Sequence, residues 1–434
     1  MQDRKSGTIV VVECYSSSVN YIHDIRARGY EPVLLEVYTP EEKREATRAI
    51  NDRAYAFNND PYPQVIMAKE DFEGTLDMIK RLRPVLILPG SDLGMELALR
   101  LSDELGLKSN PLSVLWNLRD KLVMQKTLEA AGIRSVRSSN VSSEEEAVRF
   151  FKGERGRKVV VKPTQGSGSV NVFICGSEAE VRNAFRVNDQ FVKERRRKEE
   201  TVIIQEYIDG EEYVVETVSC EGEHAALFGV RYIKRLCKGY GKIYDTDIYF
   251  SPDDDMAADL VDYCFRALNC LGIQYGPTHC EIMVDEKGPV LIEVNARPAG
   301  AFQRYIFQDK VMKAHETAVS LDSYFMDRRQ FFDRYPKRMH LRQPAAVKQI
   351  CIEEPIFVDR AKITERLSGL SSFDYAIENG ENRIYPRTTD LDSNGGMIYL
   401  TSPDADTLRR DLEEILFLES SRLGELYDWH RLRS

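Results

Sequence analysis

The sequence predicts a mixed α/β and α+β protein, organised as an open parallel α/β domain followed by antiparallel parts. Three short apolar strands, at residues 8–13, 31–37 and 84–89, alternate with helical segments at 19–28 and 94–105. This alternation is typical of a parallel sheet covered by helices. Further along the chain, apolar strands are joined by short turns, which indicates hairpins. A chain of 434 residues is long enough for about two to four domains.

Composition and charge argue against several classes of protein. The net charge of −10 is unsuited to nucleic acid, whose phosphates need a basic surface. No signal peptide is recognisable and no apolar run reaches the length of a membrane span, so we expect no membrane partner. The 8 cysteines show neither a Cys-x-x-Cys pair nor zinc-ligand spacing. These features favour a cytoplasmic protein with free thiols.

The most informative feature is a predicted β-hairpin that carries two carboxylates. Apolar strands at 280–284 and 290–294 flank the turn-rich segment 285–288. Glu281 on the first strand and Glu293 on the second can become cross-strand neighbours. A surface hairpin whose charges pair with each other is the alternative interpretation.

Further functional groups fall on the same face of this hairpin. Because side chains alternate along a strand, Asn295 and Arg297 point the same way as Glu293. Two carboxylates on one face repel each other, whereas Mg²⁺ prefers hard oxygen ligands, usually one or two carboxylates together with substrate phosphates. We therefore predict that the hairpin is a platform for ATP and Mg²⁺.

Two upstream segments support this prediction. A strand at 157–162 ends in Lys162 and is followed by a Gly/Ser loop, whose backbone N–H groups can approach phosphate oxygens closely. The loop is neither a Walker motif nor a dinucleotide fingerprint. Next, a strand at 201–207 breaks before the acidic segment 208–216, where backbone groups can meet an adenine edge and a carboxylate can meet ribose. An ordinary hairpin remains the alternative for each segment.

Taken in order, these motifs resemble the ATP-grasp superfamily, and within it the carboxylate-amine ligases of the L-amino acid ligase (dipeptide synthetase) type. The motifs are Asp120-Lys121, Val161-Lys162-Pro163, the Gly/Ser loop, Gln205-Glu206-Tyr207, Gly210-Glu211-Glu212-Tyr213, His279-x-Glu281 and Glu293-x-Asn295-x-Arg297. Each motif is weak alone, but their ordered combination is specific. Segments 380–386 and 395–400 also resemble the small terminal domain of those ligases.

The resemblance implies a nucleotide site built from several segments. Lysines would hold the phosphates, the Gly/Ser loop would close over the β and γ phosphates, and the end of the 201–207 strand would bind adenine and ribose. The implied residues are Lys121 and Lys162 for phosphates, Gln165, Gly166, Ser167, Gly168 and Ser169 in the loop, Glu206, Tyr207 and Ile208 for adenine, and Glu212 for ribose.

The resemblance also implies a metal site and catalytic groups. Glu281, Glu293 and Asn295 would hold one or two Mg²⁺ ions, with Mn²⁺ as a substitute, and Arg297 would meet the γ phosphate or the acyl-phosphate formed from it. His279 is a candidate base for deprotonating the amine, and a purely structural role is its alternative.

Candidate substrate residues come from two loops, in addition to Arg297. Ligands gather at the carboxyl ends of parallel strands, which makes Ser91 and Asp92 candidates, although such residues also cap helices. Related ligases often carry Glu at the position of Asp92, which puts the acceptor pocket in doubt. Arg304 can pair bidentately with a substrate carboxylate, or it is a surface arginine.

We predict an ATP-grasp fold in three domains. An N-terminal α/β domain covers 1–117, an ATP-grasp domain covers 118–327 with a lid at about 133–205, and a linker with a small α+β domain covers 328–434. The last domain would end in an amphipathic helix. The residues predicted to share its apolar face are Leu408, Leu412, Ile415 and Leu416.

The expected function is ATP-dependent ligation of a small-molecule carboxylate, an amino acid or related acid, to an amine, expected to be an amino acid. The enzyme is expected to be cytoplasmic, with a homodimer as one possible assembly. A carboxylate and ATP would give an acyl-phosphate and ADP, and the amine would then displace phosphate. Because phosphoryl transfer depends mainly on positioning and charge neutralisation, no nucleophilic side chain is expected. The alternatives are an ATP-grasp enzyme that uses bicarbonate or a thiol, and a non-catalytic nucleotide-binding protein.

Overall fold

The computed structural model describes most of the chain and shows a mixed α/β architecture. The described residues are 7–38, 62–165, 171–195, 200–237, 241–300, 303–358, 360–378, 383–389 and 393–420. None of the helices within these ranges combines the length and apolar character needed to cross a membrane.

The N-terminal sheet is parallel, as the sequence predicts. Its strands are β1 (Thr8–Val12), β2 (Glu31–Glu36), β3 (Gln64–Met67) and β4 (Pro84–Pro89), and its helices are α1 (Tyr21–Ala27), α2 (Phe72–Leu82) and α3 (Met95–Glu104). The strand order is β3-β2-β1-β4. The short edge strand β3 is absent from the prediction, because its mostly exposed side chains give no buried apolar run. The carboxyl ends of β1 and β4 lie side by side and face the rest of the molecule.

A second, antiparallel sheet forms in the region predicted as the lid. Two helices, α4 (Leu115–Arg119) and α5 (Lys121–Ala130), lead into it. Its elements are β5 (Ser138–Val141), α6 (Glu144–Gly153), β6 (Val159–Pro163), β7 (Phe173–Cys175), α7 (Glu178–Arg195) and β8 (Val202–Glu206). The strand order is β5-β8-β6-β7, and both helices pack on the apolar side of this sheet. The lid boundaries remain a prediction.

The largest sheet has eight strands and joins the middle of the chain to its C-terminal part. Its first strands are β9 (Glu211–Cys220), β10 (Glu223–Cys237), β11 (Gly241–Phe250), β12 (Gly276–Asp285) and β13 (Gly288–Asn295). Its later strands are β14 (Ala345–Gln349), β16 (Phe373–Glu378) and β18 (Gly396–Thr401), while β15 (Ile356–Val358) pairs with β17 (Arg383–Tyr385) outside it. The strand order is β13-β12-β9-β10-β11-β14-β18-β16. Strands of the predicted C-terminal domain therefore continue the same sheet as strands of the body. The domain boundary at residue 328 stays a prediction.

Helices cover both faces of this sheet. The remaining helices are α8 (Ala258–Leu271), α9 (Tyr305–Val311), α10 (Glu316–Phe325), α11 (Arg328–Arg334), α12 (Arg360–Leu367) and α13 (Ala405–Ser420). Helix α8 packs on one face with α5, and α9 and α10 pack on the other, which also meets the N-terminal sheet. The second face therefore lies between two domains.

One residue of the predicted apolar face is not buried. On α13, Leu408 and Ile415 are buried and Leu412 packs against the same core, but Leu416 is 38% exposed. Each helical residue turns by about 100°, which places Leu416 at the edge of the stripe that the other three residues form.

Candidate active site

The predicted hairpin is formed by β12 and β13, and the structure confirms its register. Glu281 lies opposite Glu293, and His279 lies opposite Asn295. The side chains of Glu281 and Glu293 are only 26% and 17% exposed. Two largely buried carboxylates therefore face the same side of the sheet.

Lysines from two other elements approach these carboxylates. Lys121 is the first residue of helix α5, and the Asp120 carboxylate before it accepts hydrogen bonds from backbone N–H groups of the first turn. The Nζ atom of Lys121 lies 3.1 Å from Glu293 Oε2. Lys162 on β6 is buried, and no carboxylate of the described residues lies within 4 Å of its Nζ. Burial and the charge of Lys121 lower the pKa of Lys162 to about 8. A buried lysine beside another lysine is well suited to an anionic ligand such as a phosphate.

The imidazole of His279 is held between two carboxylates. Its Nδ1 lies 2.5 Å from Glu216 Oε1 and its Nε2 lies 3.4 Å from Glu281 Oε1. Burial alone would lower the pKa of His279, but the Glu216 carboxylate outweighs burial and raises this pKa to about 10. The imidazole is therefore charged at neutral pH, which favours an orienting role over that of a base.

Glu216 is a residue that sequence reasoning missed. It lies on β9 directly opposite His279 and is buried. Alternation along β9 places it on the same face as Glu212, and this is the one signal in the sequence that points to it. The contact with His279 follows from strand order and is not visible in the sequence.

A loop of the N-terminal sheet completes the hairpin's surroundings. Asp92, just beyond β4, accepts a hydrogen bond of 3.1 Å from Arg297 Nε. The Asn295 amide lies 3.2 Å from both Glu293 Oε1 and Asp92 Oδ1, and its nitrogen donates to both when turned towards them. The neighbouring Ser91 is buried, and its hydroxyl has no hydrogen-bond partner among the described residues. Two predicted substrate residues thus lie beside the hairpin.

The predicted adenine segment follows β8. The Glu206 carboxylate accepts a 2.9 Å hydrogen bond from the Arg137 backbone, and the Tyr207 backbone N–H donates to the Lys158 carbonyl. Ile208 is buried in a small apolar cluster near the hairpin. Its own N–H donates no hydrogen bond within the described ranges, which leaves it available to a ligand.

The predicted ribose residue and the connecting glycine lie next to this segment. Both carboxylate oxygens of Glu212 are engaged, one 2.5 Å from Lys234 Nζ and the other 2.9 Å from the Tyr244 hydroxyl. Gly210 passes so close to β12 that a Cβ would lie 2.3 Å from the Val284 carbonyl oxygen. Only glycine permits this approach, which holds the lid-to-body connection against the end of the hairpin.

Other predicted residues are placed as follows. Gln165 is buried, with its Oε1 3.1 Å from Arg119 Nη2 and its Nε2 without a partner in the described part of the chain. The loop residues Gly166, Ser167, Gly168 and Ser169 lie outside the described residues. Arg304 precedes α9, and its guanidinium lies 5.4 Å from the centre of the Tyr375 ring. Its predicted pairing with a substrate remains untested.

The charges of the site fit a nucleotide and a divalent cation. Burial raises the pKa of Glu293, while for Glu281 the bond from charged His279 outweighs burial and lowers the pKa to about 2. Among the described residues no three His, Cys, Asp or Glu side chains form a metal-binding group. Mg²⁺ commonly needs only one or two carboxylates, because phosphate oxygens and water supply the rest.

Comparison with known proteins agrees with this geometry. The family of the ATP-grasp domain matches residues 156–304. The chain is 26% identical over 433 residues to dapdiamide A synthase of Enterobacter agglomerans, covering 95% of this chain and 96% of that protein. It is also 26% identical over 210 residues to the L-arginine-specific L-amino acid ligase of Bacillus subtilis, covering 48% of this chain and 50% of that protein.

A solved structure extends the agreement to the whole fold. The L-amino acid ligase of Bacillus licheniformis superposes with a TM-score of 0.73 at 15% identity, over 95% of this chain and 98% of that one. The N5-carboxyaminoimidazole synthetase of Staphylococcus aureus superposes with a TM-score of 0.67 at 13% identity, over 95% and 97%. The domain match, the full-length relative and the shared fold support an ATP-grasp carboxylate-amine ligase.

Proposed function

We propose that the protein joins the carboxylate of one amino acid or related acid to the amine of another, and converts ATP to ADP and phosphate. The observation that carries this proposal is the meeting of the Glu281–Glu293 pair with Lys121, Lys162 and Arg297. The names of the relatives, which include amino acid ligases, support the choice of substrates.

We assign the metal and phosphate contacts to residues of this cluster. Glu281, Glu293 and Asn295 would hold Mg²⁺, and Lys121 and Lys162 would hold the phosphates. A cation between the carboxylates would turn the amide oxygen of Asn295 inward, in place of the nitrogen that otherwise donates to Glu293. Bound Mg²⁺ would neutralise phosphate charge and orient the phosphoryl group.

Arg297 would act on the reacting carboxylate. A carboxylate that approaches the γ phosphate brings like charges together, and each pair of unit charges at ~4 Å costs ~4 kcal/mol at an effective dielectric near 20. The Arg297 guanidinium, oriented by Asp92, offsets this repulsion where the new bond forms. Ser91, with its unpartnered hydroxyl, would contact the substrate from the same loop.

His279 would orient the site and would not deprotonate the amine. The Glu216 carboxylate keeps the imidazole protonated, so it has no free lone pair to accept a further proton. Through Nε2 it would hold Glu281 in position for the cation. This assignment favours the structural alternative for His279 that the sequence left open.

Phosphate release from ATP and Mg²⁺, measured with amino acids and other carboxylates singly and in pairs, tests the proposed function. Mass spectrometry identifies any condensed product. Release that requires a particular pair and yields its condensed mass is the expected result. Release that needs bicarbonate or a thiol would indicate a different acceptor, and nucleotide binding without any turnover would indicate a binding protein.

A further inference from the structure

The sheet face that carries the hairpin continues across two more strands. Glu281 on β12 lies opposite Val214 on β9. Val214 lies opposite Val230 on β10, and Val230 lies opposite Tyr249 on β11. Directly opposed residues share a face, and so do residues two apart on one strand. Glu281, Tyr249 and Asp247 therefore all face the space between the large sheet and the N-terminal domain.

Four buried polar atoms in this region have no hydrogen-bond partner among the described residues. They are Asp247 Oδ1, the Tyr249 hydroxyl, Glu216 Oε2 and Glu316 Oε1. The four residues are 7%, 6%, 2% and 0% exposed. A buried polar group without a hydrogen bond destabilises the folded protein, so several such atoms in one region indicate that a ligand completes them.

These atoms belong to one neighbourhood. Burial raises the pKa of the Tyr249 hydroxyl well above its usual range, and Asp247, Tyr375, Glu216 and Glu316 raise it further. Helix α10 brings Glu316 to the sheet, where its other oxygen accepts a 2.9 Å hydrogen bond from the Ala299 backbone. The ring of Tyr249 packs against Phe228 and Phe307, and the ionisable groups that act most on its hydroxyl are acidic or phenolic.

The second oxygen of Asp247 already accepts a hydrogen bond, and Lys348, whose charge acts on Asp247, forms its ion pairs with other carboxylates. Asp247 Oδ2 accepts a 3.3 Å hydrogen bond from Gln349 Nε2. Lys348 is fully buried, with its Nζ 3.3 Å from Asp245 Oδ1 and 3.0 Å from Glu419 Oε2. Asp247 Oδ1 has no hydrogen-bond partner, and no cation of the described residues forms an ion pair with Asp247, so a ligand that brings hydrogen-bond donors and positive charge would satisfy this oxygen.

We propose that Asp247 and Tyr249 form a recognition subsite for an ammonium or guanidinium group on the side chain of an amino acid substrate. This inference rests on the proposed function, because it places a substrate between the hairpin and β11. Three strand spacings of ~4.8 Å separate Glu281 from Tyr249, about 14 Å between backbones. The α-ammonium of an amino acid substrate lies beside its reacting carboxylate, near the hairpin, and is too far away to reach Asp247. A charged group at the end of a basic side chain can span this distance.

Calorimetric binding tests the subsite without requiring turnover. The purified full-length protein, saturated with Mg²⁺ and a non-hydrolysable ATP analogue, is titrated with L-lysine and L-arginine and with their uncharged isosteres L-norleucine and L-citrulline. The basic amino acids should bind at least about tenfold more tightly than their isosteres, since a hydrogen bond to a buried charge contributes ~1.5–3 kcal/mol.

Variants show whether Asp247 and Tyr249 cause the preference. Asp247→Asn keeps the side-chain shape and should reduce the preference to about twofold or less, while Tyr249→Phe should weaken binding of basic amino acids several-fold. Asp259→Asn, an exposed change on α8, is the matched control and should keep the full preference. Circular dichroism verifies folding, and Tyr249→Phe tests the subsite even if Asp247→Asn does not fold.

The outcomes separate this inference from the proposed function. Absence of a preference in the wild type, or a preference that survives both substitutions, would overturn the subsite. If uncharged amino acids support ligation without such a preference, the subsite alone is wrong. If basic amino acids bind as expected but no amino acid stimulates phosphate release, the subsite stands and the proposed function is wrong.

Discussion

The hairpin proposed to bind the metal and the proposed substrate side of the site are assembled in opposite ways. One short turn between β12 and β13 brings Glu281 opposite Glu293. By contrast, Asp92 and Arg297 meet across 205 residues, and Asp247 shares a face with the hairpin only through the intervening strands β9 and β10. The hairpin half of the proposed site is thus a local structure, whereas its substrate half depends on how the N-terminal sheet packs against the large sheet.

Glu293→Gln should have the largest effect, because it breaks the local half of this comparison. The change removes a carboxylate that lies 3.1 Å from Lys121 and faces Glu281. We expect amino-acid-dependent phosphate release to fall by about 1000-fold at every Mg²⁺ concentration. Glu286→Gln changes an exposed residue in the turn that joins the two strands of the hairpin. This variant is the control and should retain turnover. Normal turnover in Glu293→Gln would refute the metal assignment.

Arg297→Lys tests the contact that joins the two halves. Lysine keeps the charge but loses the planar fork that donates to Asp92 and the Pro298 carbonyl. Steady-state kinetics should show kcat reduced about 100-fold with an unchanged KM for ATP. An unchanged kcat would show that Arg297 does not act on the transferred group.

Arg304→Ala addresses the substrate half alone. If Arg304 pairs with a substrate carboxylate, its loss should raise the KM for that substrate about tenfold and leave the KM for ATP intact. Arg266→Ala, at an exposed position on α8, serves as the control. A substrate KM equal to that of the wild type would assign Arg304 a structural role at Tyr375.

A pH-dependent contact between the domains should give the smallest effect. His315 Nε2 lies 2.9 Å from Asp24 Oδ1 on α1, and its Nδ1 lies 2.9 Å from Asp309 Oδ1. Burial acts to lower the pKa of His315, but the hydrogen bonds to Asp24 and Asp309 outweigh it and raise this pKa to about 9 from 6.5. The charged form is therefore favoured by folding.

The stabilisation from His315 is complete below pH 6.5 and is lost as the pH rises through about 9. Chemical denaturation should show that the wild type loses about 2 kcal/mol of unfolding free energy over this window relative to His315→Asn. If the unfolding free energies of the two proteins change in parallel between pH 6.5 and 9, the prediction is contradicted. Between pH 9.5 and 10.5 the two free energies should change with pH in the same way.

Much of the hairpin half, and the start of the helix that approaches it, could be predicted from local pattern. Apolar alternation around the turn at 285–288 predicts a hairpin in which Glu281 and Glu293 face each other, and the structure confirms that register. Asp120 predicts the start of helix α5, because its carboxylate can accept bonds from the first-turn N–H groups, as it does from Leu122 and Val123. Leu416 on α13 shows the limit of such patterns. A wide apolar stripe on a helix does not indicate which of the residues along its edges are buried.

The sequence by itself determined the parallel N-terminal strands, the hairpin and the ordered motifs of an ATP-grasp ligase, because periodicity and turn chemistry act over a few residues. Only the tertiary structure decided that Glu216 stabilises the protonated form of His279 and orients its ring, that Asp92 holds Arg297, and that Asp247 faces the same space as the hairpin. Those contacts depend on strand order and domain packing, and residues far apart in sequence carry no local signal of the neighbour they will meet.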